Sequence, residues 1–278
     1  MKKKKKRVDP LVKKLAVPLK GTFSLADVDA SGIPGLGKKQ ALKAELKEIQ
    51  ARLNELQEIL FAQSEHAVLF VLQAMDTGGK DSTIRRVFGA LNPQGVRVKG
   101  FKVPTPEERA HDYLWRVHNA VPPKGMIGIF NRSHYEDVLV TRVHDLVPAA
   151  EIRKRYDQIN AFEKILAANN VAVVKCMLYI SKDEQKRRLQ DRLDEPEKHW
   201  KFNSGDLAER KLWKRYMKAF ELALAKCNTP WARWYVVPAN TKTHRDLAVA
   251  RILLHTLENL PLKYPPAEEG LDTVVIED

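Results

Sequence analysis

Between Lys38 and Leu60 the apolar residues Leu42, Leu46, Ile49, Leu53, Leu56 and Leu60 recur at spacings of 4, 3, 4, 3 and 4. That is the period of an α-helix with one buried stripe, so a helix is expected over 38–60. Fewer than three heptads do not establish a coiled coil, and the stripe is expected to pack on the body of the chain. Beyond it the pattern changes to short apolar runs: AVLFVL at 67–72, GVRVKGF at 95–101, MIGIF at 126–130, VAVVKCMLYI at 171–180 and RWYVV at 233–237. Amphipathic, helix-like stretches lie between them. Near-continuous apolar strands joined by helical crossovers predict an α/β protein whose mostly parallel, five-stranded sheet is covered on both faces. In open sheets of this kind ligands sit at the carboxyl ends of the strands, so the chemistry is expected there.

Before residue 38 the pattern is broken by Pro10, Pro18, Gly21, Gly32, Pro34 and Gly35, which leaves little chance of continuous helix. Residues 1–37 read as a basic arm, solvated and tethered to the body, and 38–278 as one domain. The arm also carries most of the charge. Of the formal net charge of +13, residues 1–20 supply +8, with nine Lys or Arg against Asp9. The rest of the chain is only mildly basic, so a nucleic-acid-binding protein acting through its arm is a weak rival reading; no helix-turn-helix, zinc-finger or RNA-binding aromatic signature accompanies the charge. The run Lys2 to Arg7 is followed by no signal-peptide core, and no stretch reaches the length of a membrane span, so a cytoplasmic chain is expected. Cys176 and Cys227 have no metal-like spacing and read as buried thiols.

The first candidate chemistry follows the first strand. QAMDTGGKD resembles a Walker A loop, but Ala74 holds the first glycine position and Asp81 stands where the hydroxyl belongs. Strand, glycine turn and helix start nonetheless follow in the order that lets backbone N–H groups hold phosphate. Thr77, Gly78, Gly79, Lys80, Asp81 and Ser82 are therefore candidate phosphate-binding residues, with Lys80 as point charge. Two carboxylates beside a phosphate would repel it unless a cation intervened, and Mg²⁺, or alternatively Mn²⁺, is the expected ion. Asp76 is the better metal candidate, because Asp81 has a competing role as a first-turn acid.

FNRSHYED follows the strand at 126–130, which aims Asn131 and Arg132 at the same sheet edge. Arg132 can fork onto phosphate oxygens, and Glu136, four residues on, can share the metal. His134, His111 and His118 do not make a zinc-binding set and read as structural or substrate-positioning. After the strand at 171–180, Ser181 and Glu184 read as a capping box that starts a helix. Arg188 and Arg192 share one face of it, with Lys198 and Lys201 beyond Pro196. By composition alone this is a solvated charged helix.

QAMDTGGKD, LNPQGVRVKGFKVPT, HDYLWRVH and GIFNRSHYEDVLVTRVH, in that order, resemble polyphosphate kinase family 2, and the combination resembles its class III branch. The resemblance spans about residues 40–262. It implies a P-loop kinase-like three-layer α/β/α sandwich with a helical lid, here about 182–210. It implies that A-M-D-x-x-G-K is a normal form of the loop, that Asn131 and Arg132 belong to the second phosphate motif, and that Arg188, Arg192, Lys198, Trp200, Lys201 and Asp206 form the lid. It also implies inorganic polyphosphate as donor and AMP, ADP or both as acceptor, reversibly, with guanine nucleotides as further candidates. A homo-oligomer, dimer or tetramer, is expected, with neither nucleic acid nor membrane as partner. Asp76, Lys80, Arg132, Arg188 and Arg192 are the expected catalytic residues of a direct transfer, since no Ser–His or Cys–His pairing is evident. An ATP-dependent nucleoside monophosphate kinase of the thymidylate-kinase type would share strand, loop and lid and stands as the alternative.

Overall fold

A computed structural model describes residues 9–276; the expected basic run Lys2 to Arg7 lies outside them. Five strands, β1 (Ala67–Gln73), β2 (Val96–Gly100), β3 (Ile127–Asn131), β4 (Val171–Tyr179) and β5 (Ala232–Pro238), form one parallel sheet in the order β2-β3-β1-β4-β5. Each coincides with an apolar run read from the sequence. The helices are α1 (Pro10–Leu15), α2 (Lys39–Gln63), α3 (Lys80–Thr83), α4 (Pro106–Ala110), α5 (Trp115–His118), α6 (Glu136–Val143), α7 (Ala149–Ala168), α8 (Lys182–Asp194), α9 (Gly205–Lys211), α10 (Trp213–Lys226) and α11 (Lys242–Glu258).

β1 shows why the sheet is central. All seven of its residues are buried. Ala67, Leu69 and Val71 face one apolar layer with α6, α7 and α10, and Val68, Phe70 and Leu72 face the other with α1, α2 and α11. Period-2 side chains with both faces covered give the unbroken apolar run. The stripe of α2 packs into the second layer, with Leu53 and Leu60 fully buried, so it is spent on the body of the chain.

The N-terminal segment differs from the expectation of a solvated arm. From Asp9 onward it lies on the body. Asp9 caps α1 by accepting the N–H of Leu11 at 2.7 Å, and Pro10 occupies the first helical position, where its missing N–H costs nothing. Leu11, Val12, Leu15, Val17, Leu25 and Ile33 are buried. Val17 donates to the carbonyl of Trp234 at 2.9 Å along β5, and Asn240 donates to the carbonyl of Ala30 at 3.1 Å. Composition misread this segment because its few apolar residues are dispersed among lysines and breakers instead of following a period.

Removing residues 1–36 is expected to take away those six buried side chains, each worth about 1.5–3 kcal/mol when buried, and to uncover the apolar surface they pack on. The Tm in differential scanning calorimetry should fall by more than about 5 °C; an unchanged Tm would mean that the segment is not part of the core.

Candidate functional site

β1 ends at Gln73, and the chain turns through Ala74–Gly79 into α3. Thr77 and Gly79 turn it with φ of 62° and 99°. Gly79 adopts the left-handed region freely because it lacks a Cβ, and a Cβ there would meet Nη1 of Arg245 at 2.0 Å. At Gly78 a Cβ would lie 2.5 Å from that of Ala74. Gly79 is thus required by both its φ and close approach, and Gly78 by close approach alone. The Thr77 hydroxyl is buried without a hydrogen-bond partner, a donor left over for a ligand. Beyond Thr83 the helix widens into a π turn, Ile84–Phe88.

Lys80 is almost fully buried and donates from Nζ to the carbonyl of Ala74 at 3.0 Å. Burial lowers its pKa, the Arg132 charge lowers it further, and Asp76, Glu136 and Asp81 act against both. Arg132, itself in the left-handed region at φ 63°, places its guanidinium between two carboxylates: Nη2 is 2.8 Å from Oδ1 of Asp76 and Nη1 is 3.4 Å from Oε2 of Glu136. Burial raises the pKa of Glu136 despite the Arg132 and Lys80 charges beside it. Asn131 donates to Oδ1 of Asp81 at 2.6 Å, joining the two motifs directly.

α8, where the expected lid begins, reaches the loop. Arg188 donates to the carbonyl of Thr77 at 2.9 Å and to those of Ala239 and Asn240 at 2.6 and 3.0 Å. Gln185 donates to the carbonyl of Asp76 at 3.1 Å. Arg192 holds Asp206 at 2.9 Å, which ties α8 to the start of α9. The expected capping box is only half formed. The Ser181 hydroxyl accepts from the N–H of Glu184, but the Glu184 carboxylate binds Arg187 and Arg188, because two guanidiniums outcompete one neutral N–H for an anion.

Asp76, Thr77, Gly78, Gly79, Lys80, Asp81, Ser82, Asn131, Arg132, Glu136, Arg188, Arg192, Lys198 and Lys201 border a single cleft of about 900 Å³, whereas Trp200 and Asp206, also expected in the lid, do not: Trp200 is exposed and Asp206 is held by Arg192. The walls of the cleft carry ten Lys and Arg side chains against five carboxylates, so an uncompensated positive field fills it and favours an anionic occupant.

The profile of the family described as Polyphosphate kinase 2 (PPK2) matches residues 37–264. The chain belongs to the polyphosphate kinase 2 family. It is 52% identical over 267 residues to an AMP/ADP-polyphosphate phosphotransferase of Meiothermus ruber, covering 96% of this chain and all of that one. It is 45% identical to an ADP-polyphosphate phosphotransferase of Rhodopseudomonas palustris over 226 residues, 77% of this chain and 78% of the other. The crystal structure of polyphosphate kinase 2 from Arthrobacter aurescens superposes with a TM-score of 0.92 at 48% identity, covering 95% of each chain. The fold is therefore that of this P-loop kinase-like family.

Among the described residues no group of three His, Cys, Asp or Glu side chains is placed to hold a metal. The donor set still suits a hard cation such as Mg²⁺, which takes one or two carboxylates and completes its shell with water and phosphate oxygens. Asp76, on the cleft wall beside Lys80, fits that part, and Glu136 lies across the same guanidinium. The histidines lie elsewhere: His134 is fully buried, His111 stacks on Trp115 at 4.2 Å and His118 meets the edge of Phe162. Cys176 and Cys227 are both buried free thiols.

The polyphosphate kinase 2 cleft also contains residues that the sequence reading passed over. Lys242 and Arg245, three apart at the start of α11, and Lys102 and Arg116 beyond β2 all border it. Lys242 and Arg245 follow β5, so the rule that ligands sit at strand carboxyl ends could have found them. Arg245 is fully buried and held by Asp246, with Nη1 unpartnered against the loop.

Asp137 is a second such case. Burial pushes its carboxyl up to about 6, against the pull of Arg155 and Arg116. A carboxyl raised above its unfolded value penalises the fold as pH rises from about 4 to 6, and the penalty is complete above that window. Asp137→Asn is expected to stabilise the protein at pH 8 by up to about 2–3 kcal/mol and to be neutral near pH 4. Urea unfolding at the two pH values reads this; equal effects at both would show that Asp137 is not raised.

Proposed function

We propose that the protein transfers the terminal phosphoryl group of inorganic polyphosphate to AMP and to ADP, reversibly. What supports the reading is the convergence of loop, second motif and lid on one strongly cationic cleft in a chain so similar, over 96% of its length, to an AMP/ADP-polyphosphate phosphotransferase. The rival reading as an ATP-dependent nucleoside monophosphate kinase draws no support from the relatives. The protein is further proposed to act in the cytoplasm and as a homo-oligomer; no helix among the described residues is long and apolar enough to cross a membrane.

Phosphoryl transfer asks the protein for in-line positioning and for neutral surroundings around the moving group. The loop from Asp76 to Ser82 holds a donor phosphate on backbone N–H groups and the Thr77 hydroxyl, with Lys80 exchanging its contact with the Ala74 carbonyl for a phosphate oxygen. Arg132 leaves its carboxylates for the equatorial oxygens of the transferring group, where charge grows. Asp76, with Glu136, would hold a bound Mg²⁺, which would supply positive charge to offset that of the phosphates. Arg188 and Arg192, with Lys198 and Lys201 beyond them, close over the phosphates and exclude water, so that the phosphoryl group passes to the nucleotide and not to hydroxide. Donor and product are both phosphoanhydrides, which makes the reaction near-balanced and reversible.

ATP formation from AMP and from ADP, with polyphosphate and no nucleoside triphosphate present, tests the proposal. Turnover is expected with both acceptors, and Lys80→Ala should lower kcat by about 10²–10³-fold, the size of losing one preorganised charge donor. Turnover that requires ATP as donor would instead support the rival.

A further inference from the structure

Directly behind the second motif lies a charged cluster that no step of the transfer uses. Lys175 of β4 and Glu163 of α7 are both fully buried, at positions where strand and helix otherwise contribute apolar side chains. Nζ of Lys175 is 2.6 Å from Oε2 of Glu163. The ammonium also donates to the hydroxyl of Tyr135 at 2.9 Å and to the carbonyl of Cys227 at 2.6 Å, so all three of its hydrogens are accepted. The rings of Tyr135 and Trp234 flank it at 5.3 and 5.4 Å. Oε1 of Glu163 receives the Tyr135 hydroxyl at 2.9 Å and lies 3.2 Å from Nε2 of His134. Burial alone would push the Glu163 carboxyl up, but Lys175 and His134 outweigh it and hold it below its ordinary range.

A buried ion pair is a poor means of stabilising a fold, since replacing both partners by apolar residues is often neutral or favourable. Its value here lies in what it ties down. His134 and Tyr135 separate Arg132 from Glu136 in sequence, and their side chains are sunk into the pair while those two neighbours line the cleft. The same turn is pinned from the sheet: the Arg132 N–H donates to the carbonyl of Leu72 at 3.1 Å, and the Ser133 hydroxyl accepts from Nε2 of Gln73 at 3.1 Å. Arg132 needs that support. A non-glycine residue at φ 63° persists only where its surroundings over-determine it.

We propose that Glu163 and Lys175 are positioning residues for phosphoryl transfer: through His134 and Tyr135 they hold the backbone of 132–136 so that Arg132 and Glu136 stand opposite Asp76. This rests on the phosphotransfer reading above and adds to it a residue pair outside the cleft, whose charge serves geometry and not substrate binding.

The test replaces both charges at once, as Glu163→Leu with Lys175→Met, so that neither is left buried alone. The Tm is expected to stay level or rise. The kcat with ADP and polyphosphate should fall at least tenfold, while KM for each substrate stays within twofold. In an Arg132→Ala background the same double change should cost clearly less than in the unaltered protein, because part of its effect passes through Arg132. A stable double variant that keeps its kcat, or an equal loss in the Arg132→Ala background, overturns the proposal. Should the double variant fail to fold, Tyr135→Phe decides: it removes one hydroxyl and should lower kcat several-fold at constant KM, and an unchanged kcat overturns the proposal. Turnover by the unaltered protein reports separately on the phosphotransfer reading.

Discussion

The Arg132 guanidinium, shared between Asp76 and Glu136, is the contact on which the site depends. It crosses from the turn after β3 to the turn after β1, neighbouring strands of the sheet. Ten cations on the wall of one cleft repel one another, and the five carboxylates among them offset half of that charge. Arg132 and its partners hold the turns after β1 and β3 in register across the sheet. The positive charge left over is what a polyphosphate chain would neutralise.

The remaining cations are held by the same means, each by fixed acceptors. Arg188 is nearly buried, yet its guanidinium is satisfied by carbonyls of the loop after β1 and of the junction between β5 and α11. One side chain therefore links α8 to two strand ends. The N-terminal segment reaches the same junction: Thr241 donates to the carbonyl of Ser31 at 2.7 Å, and the N–H of Ile33 donates to Nδ1 of His244 at 3.0 Å. The segment that composition marked as an arm is in this way a neighbour of the cleft wall.

Stability and chemistry draw on different parts of the molecule. The apolar layers above and below the sheet supply the burial, whereas Glu163 and Lys175 spend hydrogen-bonding capacity inside one of those layers. Polar groups in such a place specify geometry more than they stabilise. Their neighbours on the cleft side, Arg132 and Glu136, are the residues whose placement the proposed direct transfer would depend on.

The five strands, the crossover helices, the glycine turn and the arginines after β3 and β4 were legible in the chain alone, because each is a local signal: a period of 2 or 3.6, a pair of glycines, or a charge beside a strand end. The sequence also marked the loop, the turn after β3 and the cations of α8 as candidates, and the cleft brings these together, though not Trp200 or Asp206. Tertiary structure decided the rest. That α1 is helical and buried, that Arg245 of α11 reaches the loop at Gly79, and that Lys175 finds Glu163 and Tyr135 depend on partners brought together from distant parts of the chain. The bond from Arg188 to Thr77 spans 111 residues. No local pattern encodes such a partner, because it is chosen by the stacking of whole elements, and the same stacking removes water from Asp137 and so sets its proton affinity.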